Sequence, residues 1–119
     1  MEQNKQIAAQ LLERNGTFTL DGDPVTFDRG FQVGGADHGI VNPTLLQATQ
    51  WVADVRSDGL NRQDPVTFLG SWTDENGNVY LDVTDHVADY EAAQVLGRLS
   101  REKTIWNWQI GRAIPVCQK

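Results

Sequence analysis

Apolar residues recur along this chain in two rhythms, and the places where one gives way to the other mark out its elements. Between Glu2 and Arg14 the residues Ile7, Ala8, Leu11 and Leu12 keep helical spacing, and Asn15-Gly16 follows as a stop. The same spacing returns in Leu45, Ala48, Val52 and Val55. It predicts a second helix with Asn42 as N-cap, Pro43 in the first position and Gly59 at the end. Trp51 falls at the edge of that stripe. A third helix is predicted over about Asp89 to Arg101, with Ala92, Val95, Leu96 and Leu99 as its apolar stripe. Its acidic start, Asp89 and Glu91, and its basic end, Arg98, Arg101 and Lys103, complement the helix dipole.

Elsewhere a period of two takes over. Asp21-Gly22 lies between two short alternating runs and predicts a hairpin. Pairing Leu20 with Asp23 makes Phe18 face Val25 and puts Phe18, Leu20, Val25 and Phe27 on one side. Pro24 has no N–H to donate and belongs on an edge strand. Phe31 and Val33 predict another strand, ending at Gly34-Gly35. A second hairpin surrounds Asp74-Glu75-Asn76-Gly77. Pairing Thr73 with Asn78 sets Trp72 opposite Val79, Gly70 opposite Leu81 and Phe68 opposite Val83, so these apolar residues are predicted to line one buried face. A last strand, Lys103 to Trp108, places Trp106 and Trp108 on one face and Ile105 and Asn107 on the other. The tail beyond it is read as a short edge segment or a frayed end. The expected fold is a single α+β domain over residues 1–119, with about three helices covering a mostly antiparallel sheet built from two hairpins and a C-terminal strand.

Charge narrows the partners. Against 10 Lys and Arg stand 16 Asp and Glu, a net charge of −6, which disfavours wrapping duplex nucleic acid or lying on an anionic membrane. No run approaches the ~20 apolar residues of a membrane span, the first residues are too polar for a secretory signal, and Cys117 is the single cysteine. A cytoplasmic protein is the expectation.

Candidate chemistry is sparse. Asp37-His38 and Asp85-His86 concentrate metal-capable groups, but adjacent strand residues point oppositely and neither pair has the spacing that puts two ligands on one helix face. A calcium loop starting at Asp74 would have Val79 at the glycine position and Asp85 where a Glu closes the site. The glycines around Phe31 lack dinucleotide-binding spacing, and Ser57, Ser71, Ser100 and Cys117 lack the context of a nucleophile. The sequence therefore points to no catalytic residue, metal or cofactor. A small metal-dependent enzyme or hydrolase, with His38 or His86 meeting carboxylates, is the alternative.

Two surfaces point to binding. From Asp74 to Glu91 there are six acids and no Lys or Arg, and a face carrying Asp82, Asp85 and Asp89 would resemble a row of phosphates able to block a DNA-binding protein. Tyr80 and Asp82 alternate away from the predicted core side of their strand. With Trp106 and Trp108 they would form an aromatic anchor beside a charged rim.

The stretch from Val66 to Trp108, through Gly70 and Trp72, Gly77, Tyr80 and Asp82, Ala92 and Ile105-Trp106, resembles small uncharacterised proteins of actinobacterial phages and mobile elements. That resemblance implies a mobile-element accessory protein acting on a host or defence protein, and it carries no catalytic role.

Overall fold

The computed structural model describes residues 2–60 and 67–117. In chain order they form α1 (Glu2–Glu13), β1 (Gly16–Phe18), β2 (Pro24–Val25), β3 (Phe31–Val41), α2 (Leu45–Leu60), β4 (Thr67–Thr73), β5 (Val79–Val87), α3 (Tyr90–Leu99), β6 (Thr104–Asn107) and β7 (Arg112–Pro115). The strands make one sheet in the order β2-β1-β4-β5-β3-β6-β7, and every neighbouring pair is antiparallel. The fold is α+β, as the pattern predicts. Pro24 sits on the edge strand β2, and the tail supplies the opposite edge, β7. No helix among the described residues is long and apolar enough to cross a membrane.

All the helices pack on one side of the sheet. Ile7, Ala8 and Leu11 of α1 and Ala48 and Val52 of α2 meet Phe18, Leu69 and Leu81 in one core. Ala93 of α3 meets Val33, Ile105 and Val116 in a second. Leu81, Asp85 and Val87 share a face of β5, and Val33 and Phe31 pair with the last two, so both cores lie on the same side. Burying each large side chain there contributes roughly 1.5–3 kcal/mol.

Both hairpins close with the same three-residue turn, one residue longer than the pattern predicts in the first and one residue shorter in the second. In the first, the Gly22 N–H donates to the Thr19 carbonyl at 2.9 Å and the Thr19 N–H to the Asp23 carbonyl at 2.8 Å. In the second, the Gly77 N–H donates to Asp74 at 3.1 Å and the Asp74 N–H to Asn78 at 3.0 Å. Each glycine has positive φ, 90° and 85°, and forms the bulge that ends a three-residue loop. The side chains of Thr19 and Asp74 accept N–H bonds from within their own loops and hold them in this form.

The one-residue difference in loop length shifts both registers. Thr17 pairs with Val25 and Phe18 with Pro24, and Phe27 packs on the far side of the sheet, not beside Phe18. In the second hairpin Thr73 pairs with Val79, Trp72 with Tyr80, Gly70 with Asp82 and Phe68 with Thr84. A one-residue slip turns a strand over. Leu69, not Phe68, therefore joins Leu81 in the core, and Trp72 is 47% exposed.

Three further expectations are corrected. Thr44, not Asn42, caps α2 through a reciprocal pair: its hydroxyl accepts the Gln47 N–H, and the Gln47 side chain accepts the Thr44 N–H. Asn42, at φ 50°, instead ties the end of β3 to Val79 and Asn78 of the hairpin, and Gly59 lies inside α2. In α3 the buried residues are Ala93, Gln94 and Gly97, whereas Val95 and Leu99 are exposed. A Cβ at position 97 would stand 2.9 Å from Val116 and 3.2 Å from Ile105, so the smallest residues mark where the helix meets the sheet. The cap of α3 is Asp89, read from the sequence only as part of an acidic start, and it accepts the Ala92 N–H at 2.9 Å. Finally, β3 does not stop at Gly34-Gly35 but runs on to Val41, with a register shift between Gly35 and Ile40, so Asp37 and His38 fall within its bounds.

Candidate functional site

The face of the sheet away from the helices carries most of the aromatic and polar side chains that the cores leave out. Tyr80, Asp82, Thr84 and His86 alternate onto it from β5. Pairing adds Phe68, Gly70 and Trp72 from β4, Gln32, Gly34 and Val41 from β3, and Trp106 from β6. Trp72, Tyr80 and Val41 stand side by side across three strands.

At this end the hairpin loop builds a rigid platform. The Trp72 and Tyr80 rings stack with centroids 4.2 Å apart and planes 10° from parallel. The Tyr80 hydroxyl donates to Asp74 Oδ2 at 3.0 Å. Asp74 also accepts bonds from the Asn78 and Asn76 backbones and the Asn78 side chain. Those bonds, Asn78's first among them, hold its carboxyl below the usual range, while the bond to Asp74 raises the Tyr80 phenol.

The opposite end is closed by rings and one amide. Phe27 crosses the face, stacks on His86 at 3.8 Å and meets Phe68 and Trp108 edge-on at 5.6 and 5.5 Å. Trp108 donates its indole N–H to the Gln32 carbonyl oxygen at 3.0 Å, and the Gln32 amide donates to the Thr84 hydroxyl at 2.9 Å. Gln32 and Thr84 are buried. Trp106 lies edge-on to Trp108 at 6.2 Å and is 40% exposed.

Asp82 lies between these ends. Its Oδ1 is buried and has no hydrogen-bond partner. The carboxylate rests over two glycines: a Cβ on Gly70 would collide with Oδ1, and one on Gly34 would stand 2.6 Å from Oδ2 and 3.0 Å from Glu102 Oε1. Burial, then the charge of Glu102, pushes the Asp82 carboxyl up to about 7, and burial raises Glu102 as well. An unpaired buried acid of this kind is a functional candidate on physical grounds.

The predicted site residues thus divide. Tyr80, Asp82, Trp106 and Trp108 are brought to one face, and the two tryptophans do share a side of the sheet. Asp85 is on the helix-covered face, paired with Val33 and Thr67, and Asp89 is the cap of α3. The side chains of Asp37 and His38 lie outside the described residues. His86 faces Phe27 and has its Nε2 at 2.9 Å from the Arg29 carbonyl oxygen. Among the described residues no three of His, Cys, Asp and Glu gather as metal ligands would. Sequence reasoning passed over Trp72, which it assigned to the core, and Glu102, Gln32 and Gly34. The available signal was a pair of glycines, Gly34 and Gly70, inside alternating runs, where a missing side chain marks close approach.

No family model, curated protein or solved structure matches this chain.

Proposed function

We propose that the protein is a non-catalytic accessory protein of a phage or mobile element that acts by binding a host or defence protein, and that the partner docks on the uncovered sheet face. The observation that carries this reading is the row of exposed Trp72 and Val41 with half-buried Tyr80 between them, set across the acidic centre from exposed Trp106. Aromatic anchors beside charged groups are the usual energetic centre of a protein interface. The Trp72–Tyr80 stack is already fixed by Asp74, so little side-chain freedom is lost when a partner covers it. The alternative of an acidic nucleic-acid mimic has less support, because Asp82, Asp85 and Asp89 do not share a surface.

The test is affinity purification from the native host with wild type and with a Trp72→Ala/Trp106→Ala variant whose melting temperature is followed. A specific protein retained by wild type and lost by the folded variant is the expected result. Equal retention by both removes this face from consideration.

A further inference from the structure

Among the described residues, no Lys or Arg pairs with Asp82 or Glu102. Two acids that share a burial site without a cation are each destabilised by the other, and an incoming positive charge relieves both. We propose that the Asp82–Glu102 pair is the seat of a lysine ammonium supplied by the docked partner, an inference that rests on the binding function above.

The geometry selects an ammonium over other cations. Asp82 Oδ1 is enclosed by the sheet, so Asp82 has only Oδ2 to offer. That oxygen and Glu102 Oε1 converge on one point above Gly34. Arginine's planar fork needs two parallel oxygens, usually of one carboxylate, whereas a lysine ammonium is a point charge whose donors diverge. Two oxygens from separate carboxylates meet the second requirement. A divalent metal would need more ligands than this pair supplies.

The surroundings fit the stem of the same side chain. Tyr80 precedes Asp82 by two residues on β5, and Trp72 follows Gly70, the partner of Asp82, by two on β4. Each is about 7 Å along its strand from the acidic centre. Trp106 pairs with Gln32, two residues from Gly34. Lysine's four methylenes lie well along aromatic surface while its head reaches a carboxylate, and ring faces attract the charge itself. Exposed aromatic residues on both sides favour a side chain carried by a polypeptide over a free amine, because the flanking residues of a polypeptide would cover Trp72 and Trp106 together. The net charge of −6 favours a basic segment for the same reason.

The experiment uses isotope-labelled protein and two probes, Nα-acetyl-lysine-N-methylamide and the same compound acetylated at Nε, which loses the charge. The capped lysine is expected to shift the amide resonances of Gly34 and Gly70 and the Trp106 indole, and the Nε-acetyl form to bind about tenfold more weakly or worse. Asp82→Asn and Glu102→Gln should each weaken the capped lysine by a similar factor while the spectrum stays folded. Equal binding of both probes, or unchanged binding by the folded double variant, overturns the proposal. If the capped lysine is ignored while Trp72→Ala/Trp106→Ala still loses its partner, the ammonium seat fails and the docking face survives. If the capped lysine binds while that variant keeps its partner, the docking face fails and the seat survives.

Discussion

Ser71 and Asp82 stand on adjacent strands of one sheet, pointing to opposite faces, and the protein treats their polar groups in opposite ways. On the covered face the Ser71 hydroxyl donates to the Leu11 carbonyl at 2.6 Å, joining β4 to α1 across a core of Leu69, Leu81 and Phe18. On the uncovered face Asp82 Oδ1 is buried with no donor. A buried polar group without a partner costs roughly 1–3 kcal/mol, more when charged, so the second face gives up stability that the first secures. The covered face thus secures the fold, and the uncovered face, where we propose that a partner docks, leaves a polar group unsatisfied.

Breaking the covered face should have the largest effect. Leu81 is fully buried between α1, α2 and the neighbouring strands, and Leu81→Ala is expected to cost about 2–5 kcal/mol in urea unfolding. A cost below about 1 kcal/mol would contradict the core assigned to it.

Relieving the uncovered face should act in the other direction and depend on pH. The Asp82 carboxyl titrates at about 7 in the fold and at its ordinary value of 3.8 when unfolded. Between those values the folded state holds the extra proton, so this residue's contribution to stability falls as pH rises from about 4 to 7 and stays low above that. Asp82→Asn should therefore stabilise the protein by on the order of 2–4 kcal/mol near pH 8 and by almost nothing near pH 3. Thermal melts across that range check both the sign and the window. A gain independent of pH would mean that ionisation of Asp82 is not the cause.

The glycine beneath the two carboxylates sharpens the comparison. Gly34→Ala puts a Cβ against Asp82 Oδ2 and Glu102 Oε1 and should cost about 1–3 kcal/mol. In an Asp82→Ala background most of that cost should vanish, since one clashing group is gone. A double-mutant cycle measures the coupling, and strict additivity would show that Gly34 does not support the carboxylate.

Trp72→Ala should be the mildest of the four. The ring is 47% exposed and contributes mainly its stack with Tyr80, so the expected loss is about 1 kcal/mol. A loss comparable to that of Leu81→Ala would restore the tryptophan to the core, where the alternation of its strand had placed it.

Local pattern determined what local chemistry controls. The three helices, the two hairpins, the edge position of Pro24, the acidic start of α3 and the shared side of Trp106 and Trp108 all follow from spacing, the helix dipole and alternation within a few residues. Registers did not follow. Both loops have three residues, where the pattern predicts two in the first hairpin and four in the second. A left-handed glycine and the Thr19 or Asp74 side chain that braces it fix that length, and in the second hairpin the one-residue difference decided which face Phe68 and Trp72 occupy. The stripe of α3 misled for a related reason. Ala93 and Gly97 are buried because they are small enough for Ile105 and Val116 to approach, a demand set by the sheet and not by the helix. Only the tertiary structure decided the candidate site, because Gly34, Gly70, Asp82 and Glu102 come from three strands and a connection. Nothing in the spacing of any one segment records that two carboxylates meet over a glycine with no cation between them.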